Sequence, residues 1–405
     1  MKISIASLTS LSFLCLLVLV APSKAARESD IQKLQDTREC ARCDLSNADL
    51  RGFFLQQANL RGANLQGADL NGVDLQGAFL LQTDLRNADL RNADLRNANL
   101  FGAQLEGTQL HNATLDRRTV LEERWQLVHD LVTNGLGEHS LREADLQGAN
   151  LDGVNLAGAD LTSAQLNDAS FEGAYLRGTY FVQAQLENAS FFLADLQNAN
   201  LSETQLERGS LRAADLRSGN LNNANLMRAN LGLAYLNSAS LAGANLSHAD
   251  LSGAYLTEAD LTDTQLRHAN LFVTDLRNAT LNGSDFTGAR LQGTDLTAAQ
   301  FDTAGFQQSD PAGVHLRHAS SVGADFSNLN LSGADLSNGE FREAKFVGAD
   351  LSGVNFQNAD LSFADFSGAN LSGADLRQAT LEGIQFDAGT RLCGAILPDG
   401  RIREC

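Results

Sequence analysis

A large apolar residue returns every five positions along this chain, and few folds can accommodate that spacing. It stands at Leu45, Leu50, Leu55 and on to Leu115, fifteen centres without a miss. A second array runs from Leu141 to Phe386, fifty centres of which all but Pro311 and Ser321 are Leu or Phe. Two residues before each centre sits a small residue, usually Ala, as in Ala63-Asn64-Leu65-Gln66-Gly67 and Ala369-Asn370-Leu371-Ser372-Gly373. A helix would smear a period of five around its axis, and a flat strand needs a period of two. A chain that turns a corner every five residues fits. The centre and the small residue then point inward, and the other three face water. Gly and Asn in the last two places suit corners. Stacked coils bury a continuous core, as in other solenoids.

The phenylalanines set the number of corners. Phe286, Phe306, Phe326, Phe346, Phe366 and Phe386 recur every twenty residues. Flat rings stack at a strand-like spacing of ~4.8 Å. Four pentapeptides per coil place all six in one core ladder.

The ends carry different information. Met1 to Ala25 reads as a secretory signal: Lys2, an apolar run from Leu11 to Val20, Pro22, and Ser23-Lys24-Ala25 as the cleavage site. The run is shorter than the ~20 residues of a membrane helix. Its removal takes Lys2 and Lys24 and no acid, so 28 basic residues face 49 acidic ones, a net −21. Export to a periplasm or a thylakoid lumen is expected, with no membrane span after cleavage. Four cysteines then remain, Cys40 and Cys43 near one end and Cys393 and Cys405 near the other. In an oxidising compartment an even number suggests two disulfide clasps. A redox motif or half of a zinc site is the rival reading of Cys40-x-x-Cys43. The turn at Pro398-Asp399-Gly400 can bring Cys393 and Cys405 together.

The Ala-[Asp/Asn]-Leu-x-x pattern resembles the pentapeptide repeat family over about four-fifths of the chain. The resemblance implies an all-β solenoid, a right-handed quadrilateral β-helix with four repeats per coil, here with a short inserted α-helix. Exported cyanobacterial members are similar in an N-terminal Cys-x-x-Cys, a helical interruption and a Cys…Pro-Asp-Gly tail. The expected organisation is a signal peptide at 1–25, an N-terminal cap at 26–43 and a first array at 44–115. An inserted helix follows at 116–140, then a second array at 141–386 and a C-terminal cap at 387–405. The inserted helix is read from Leu121, Trp125, Val128 and Val132, with Asn134-Gly135 as its stop. It either covers the solenoid or docks a partner. Centres shift by one residue across it, and one rod with an inserted hairpin is the expected arrangement.

A twenty-residue coil also predicts which outer residues lie above one another. One column holds Tyr175, Asp195, Asp215, Tyr235, Tyr255, Asp275, Asp295 and His315, with Arg177, Arg217, Arg277 and Arg317 beside it. Another holds Arg208, Arg228, His248 and His268, a basic strip on an acidic body. These columns and Trp125 are the candidate interaction surface. A local defect at Asp310-Pro311 and Ser320-Ser321 reads as a bulged coil or a ligand niche, with His315 and His318 nearby as a weak metal pair. No metal or cofactor is expected.

The chain has no P-loop, dinucleotide fingerprint, His-Glu-x-x-His or Gly-x-Ser-x-Gly motif, and a filled core leaves no cleft for acid–base work. No enzymatic activity is expected. At a net charge of −19 the chain is also a poor ligand for a phosphate backbone, so nucleic acid is not an expected partner. The leading reading is an exported, non-enzymatic scaffold for unidentified protein partners. The resemblance also implies an alternative: some family members protect DNA gyrase, and an acidic rod can mimic a duplex.

Overall fold

Each pentapeptide is one side and one corner of a coil. In the repeat around Leu60, the Ala63 N–H donates to Leu60 O at 3.0 Å, closing a four-residue turn. Its third residue, Gly62, has φ +60°, the positive value a type II turn requires there. Gly or Asn therefore recurs at this place. The outward Asp or Asn before each centre braces the same corner: Asp69 Oδ1 accepts the Asn71 N–H at 3.0 Å, and Asn220 Oδ1 accepts the Asn222 N–H at 3.0 Å. That second residue of the motif is a turn brace.

The computed structural model describes residues 26–137, 140–302, 304–311 and 313–405. The expected signal sequence, 1–25, lies outside them. Successive coils are joined by parallel single-residue bridges twenty residues apart, from Glu39↔Asn59 to Asp365↔Gln385. Centre N–H groups donate to the coil ahead, as Leu65 to Asp84 O at 2.8 Å, and the next coil returns a bond, as Asp84 N–H to Ala63 O at 3.0 Å. Four repeats make one rung. The interior is filled by the centres and the small residues between them, nearly all fully buried. Where Thr replaces Ala at the small place, its hydroxyl is satisfied inside: Thr83, Thr179 and Thr274 donate to the carbonyls of Leu60, Leu156 and Leu251.

Five of the six expected ladder phenylalanines stack. Phe286, Phe306, Phe326, Phe346 and Phe366 have successive ring centroids 4.8, 5.2, 5.1 and 5.0 Å apart. Phe386 departs from the expectation. It is 42% exposed and tilted 45° to Phe366, because no regular coil lies over the final one.

Helix α1 (Glu28–Thr37) caps the first coil, burying Leu34, and the sequence reading did not anticipate it. Cys40 and Cys43 are bonded to each other in the first rung, buried beneath this cap. Cys393 is bonded to Cys405 across an exposed hairpin whose Ile396 and Ile402 pair antiparallel.

Both arrays end on the same device, which period counting passed over. Asp116 Oδ1 accepts the N–H groups of Asn97, Arg118 and Thr119, while Thr119 Oγ1 donates to Leu95 O. Asp387 Oδ1 accepts those of Gly368, Gly389 and Thr390, and Thr390 Oγ1 donates to Phe366 O. Each Asp-x-x-Thr turn adds one residue, so the next bridges, Asn99↔Val120 and Asn370↔Arg391, span twenty-one.

Helix α2 (Glu123–Asn134) follows the first such turn and ends at Gly135, φ +76°. Its buried face is Trp125, Val128, His129 and Leu131. Val132, expected on the stripe, is only partly buried, and Leu121 precedes the helix. Side chains of α2 take over bonds that a further coil would have made. His129 Nε2 donates to Ala113 O at 2.7 Å, and Thr133 Oγ1 accepts the Asn112 N–H at 3.2 Å. Beside the helix, the ladder passes from the first array to the second. Gly107 N–H donates to Gly148 O at 2.7 Å, and His111 Nε2 donates to Asp152 O at 3.0 Å, each partner forty-one residues ahead instead of nineteen. Gly148 makes room for this join: a Cβ there would stand 2.9 Å from Glu106 Cγ.

Candidate interaction surfaces

Trp125 does not belong to an interaction surface. It is 1% exposed, packed between α2 and the coil. Arg124 lies over its ring at 4.5 Å and pairs with Glu106 of the first array at 3.1 Å. Asp145, at the start of the second array, stands 3.8 Å from the same guanidinium. Arg124 thus ties the helix to both arrays.

The coil brings the tyrosine column together only in part. Tyr235 and Tyr255 stack with ring centroids 5.1 Å apart, both about half exposed. Tyr175, 59% exposed, bridges Asn155 and Asp195 in the ladder and stacks on no other tyrosine. The aspartates of this column are closed off by arginines, either two residues on or from the rung before, as Arg177 pairs with Asp195 at 2.8 Å. Arg217 pairs with Asp215, and Arg277 with Asp275, both at 2.6 Å. Hydrogen bonds from Arg277 hold the Asp275 carboxyl below the usual carboxylate range, and those from Arg377 do the same for Asp375. Beside Arg51, Asp49 is held down to about 2. These exposed pairs add little stability; their effect is to leave this face nearly neutral.

The basic strip is weaker than its sequence suggests. Arg208 is engaged by Glu187 and Glu207, both at 3.2 Å, and Arg228 stands 3.8 Å from Glu207. His248 and His268 do stack, at 5.0 Å. The carboxylates beside the arginines remove most of the attraction for an anion.

At the defect the twenty-residue register continues through Gln300↔Ser320, Gly305↔Asp325 and His315↔Asp335, so no residue is inserted there. Pro311 has no N–H to give to the next coil, and one rung bond is lost. The void beneath it, lined by Phe306, Pro311, Phe326 and Leu331 among others, is about 10 Å³, at the limit of what one water molecule needs. It is too small for the ligand niche that stood as the alternative to a bulged coil. Ser309 Oγ and Ser321 Oγ are buried without partners. His315 and His318 are exposed, and among the described residues no three His, Cys, Asp or Glu gather as metal ligands.

The most apolar exposed feature lies on a corner that column reading had not singled out. Leu193, Leu233 and Val273 occupy its positive-φ place, with Phe192 and Phe272 just before two of them. Leu193, Leu233, Phe272 and Val273 are between 46% and 58% exposed. Tyr235 and Tyr255 stand on the adjoining face. The signal was present as a forty-residue recurrence of large apolar residues at a turn position, where Gly and Asn are the rule.

The family model described as pentapeptide repeats matches residues 39–78, 80–117, 140–178, 169–208, 194–232, 234–271, 274–308, 312–346 and 344–383. No curated protein matches the chain. Among solved structures, HetL, a pentapeptide repeat protein involved in heterocyst differentiation regulation from the cyanobacterium Nostoc sp., is 30% identical. The match covers 67% of this chain and 97% of HetL, with a TM-score of 0.25. A pentapeptide repeat protein from the Arabidopsis thaliana thylakoid lumen is 31% identical over 30% of this chain and 76% of its own, with a TM-score of 0.16. QnrB1, a plasmid-mediated fluoroquinolone resistance protein, is 19% identical over 42% and 90%, with a TM-score of 0.27.

Proposed function

Since the chain belongs to the pentapeptide repeat family, we propose that it is an exported, non-enzymatic scaffold, a right-handed four-sided rod that binds other proteins along its side. One observation carries the reading. Over a filled core, the rod exposes a nearly neutral face with stacked Tyr235 and Tyr255 beside an apolar corner, on a body of net charge −19. Aromatic residues with neutral surroundings are what protein interfaces favour at their centres. Export rests on Met1 to Ala25, and the clasps Cys40–Cys43 and Cys393–Cys405 suit an oxidising compartment.

Two measurements test this. The intact mass of native protein, without reductant, should begin at Ala26 and lack four hydrogens; a full-length reduced chain refutes export. Affinity capture from the same compartment should recover proteins that a Tyr235→Ser/Tyr255→Ser variant loses; identical recoveries refute the face. The acidic nucleic-acid mimic is the second reading, favoured by charge alone. Inhibition of gyrase supercoiling by the mature chain would support it, and its absence at micromolar concentration would remove it.

A further inference from the structure

Three of the four large apolar residues with positive φ among the described residues, Leu193 (φ 57°), Leu233 (φ 60°) and Val273 (φ 54°), stand on one corner; the fourth is Phe363. A left-handed backbone is unfavourable for any side chain with a Cβ and most of all for a β-branched one such as Val273. Strain repeated along one ridge invites a functional explanation. The ridge also has an internal order. Gly232-Leu233 occupies the middle rung. Two rungs to one side stands Phe192-Leu193, and two rungs to the other stands Phe272-Val273. One rung away are Arg212-Ala213 on the first side and the small pair Ser252-Gly253 on the second. The ridge is therefore nearly symmetric about its centre in its large residues. It is complementary in the intermediate rungs, where a long side chain on one side answers a notch on the other.

Charge follows the same plan. Arg212 touches the Phe192 ring at 5.8 Å and pairs with no carboxylate among the described residues. Asp250, beside the notch, accepts the Ser252 N–H at 3.0 Å and the Asn270 amide at 2.8 Å but meets no cation among the described residues. Neighbouring acids in the tyrosine column each have an arginine. A groove of about 410 Å³, lined by Arg212, Leu233, Asp250, Gly253, Phe272 and Val273, joins the two unpaired charges.

We propose that this corner is a self-association surface, on which two copies of the chain lie antiparallel around a two-fold axis at Gly232-Leu233. Arg212 of each copy then fills the Ser252-Gly253 notch of the other and meets its Asp250. A two-fold contact is self-complementary by construction: one residue pair is made twice. A second copy has the same rung spacing of ~4.8 Å, so knobs, notches and charges stay in register over four rungs, about 19 Å. Gly232 carries no side chain at the axis, while Leu233 Cδ2 lies against Gly253, so Arg212 of the partner copy would enter the notch beside Ser252. A contact of this length falls short of the ~800 Å² per partner of a standard stable interface, so the dimer is a weak, exchanging one. The net negative charge of the rods opposes it, and at ~0.15 M salt that repulsion is screened beyond ~8 Å. The pair would cover the apolar corner that adjoins the Tyr235–Tyr255 face, so the inference shares that corner with the scaffold reading, and the two are read by separate experiments.

Sedimentation of the purified mature chain from ~1 to ~200 µM at ~0.15 M salt tests it. The expected result is a reversible monomer–dimer equilibrium that Arg212→Glu and Asp250→Arg each weaken by about tenfold or more, with recovery in the double charge-reversed variant. Circular dichroism checks that each variant is folded. Arg212→Glu alone carries the test if Asp250→Arg disturbs its turn. A monomer throughout the range, a dimer indifferent to Arg212→Glu, or no recovery in a folded double variant overturns the proposal. The capture experiment with the tyrosine variant reads the scaffold separately.

Discussion

Replacing Phe326 with alanine should open the rod locally, and the structure sets both the size and the reach of the effect. Phe326 is 2% exposed, stacked between Phe306 and Phe346, with Phe301 and Phe341 edge-on at 6.0 and 6.4 Å. A buried Phe→Ala change costs about 3–5 kcal/mol when the site cannot collapse. Here it cannot, because ladder bonds such as Phe326 N–H to Lys345 O, 2.8 Å, hold the backbones at rung spacing. A loss of about 4 kcal/mol multiplies the local opening equilibrium roughly a thousandfold. In a solenoid each coil touches only its neighbours, so the loss should stay near the site. Native-state hydrogen exchange should show faster amides at Phe326, Asn328 and Lys345, whose ladder bonds cross this part of the stack. The amides of Leu65 and Leu226 should be unchanged. Phe386→Ala is the control: the ring is 42% exposed and tilted away from the stack, and the change should cost about 1–2 kcal/mol. Equal costs for the two variants, or protection lost evenly along the rod, would refute the reasoning.

Three further outcomes follow from particular contacts. Ser321→Ala removes a buried hydroxyl with no partner and should stabilise the rod by about 1 kcal/mol in urea denaturation, where a destabilised variant would contradict the assignment. Arg124→Ala should loosen α2 by about 1–2 kcal/mol and shift the emission of Trp125, the sole tryptophan, to the red; unchanged emission and quenching would mean the clamp is idle. Asp49 and Asp160 are held down to about 2, the first by Arg51, the second by Thr162 and Arg142, and Asp275 and Asp375 are also lowered. Folded carboxylates that bind protons less readily than unfolded ones, near 3.9, contribute stability above about pH 4 and lose it as pH falls toward 2. The melting temperature should therefore hold down to about pH 4 and fall below it; a rise on acidification to pH 2 would contradict this.

How far the fold was legible differs from place to place. The five-residue recurrence and the twenty-residue phenylalanine ladder lead to the coil, because core residues repeat whenever the backbone does. Column reading found the tyrosines, but it could not see that Tyr235 stacks on Tyr255 while Tyr175 stands apart. Nor could it see that Glu187 and Glu207 take up the strip's arginines. Those outcomes depend on neighbours one rung away and on side-chain reach. Trp125 lies on a helical stripe that could equally cover the solenoid or dock a partner, and it covers the solenoid. Its burial follows from His129 and Thr133 supplying the bonds of a missing coil, which fastens α2 against the stack.

The sequence alone determined the repeat, the four-sided coil, the inward and outward places, and the breaks near residues 116 and 387. All of these are periodic or local, and a chain of this composition has no other way to bury a Leu or Phe every five residues. Only the tertiary structure decided how the arrays join through Gly107 and Gly148, which end leaves Phe386 uncovered, and which outer residues form a surface. Residues such as Arg212 and Asp250 are thirty-eight positions apart and become neighbours in a groove only once the coils are stacked.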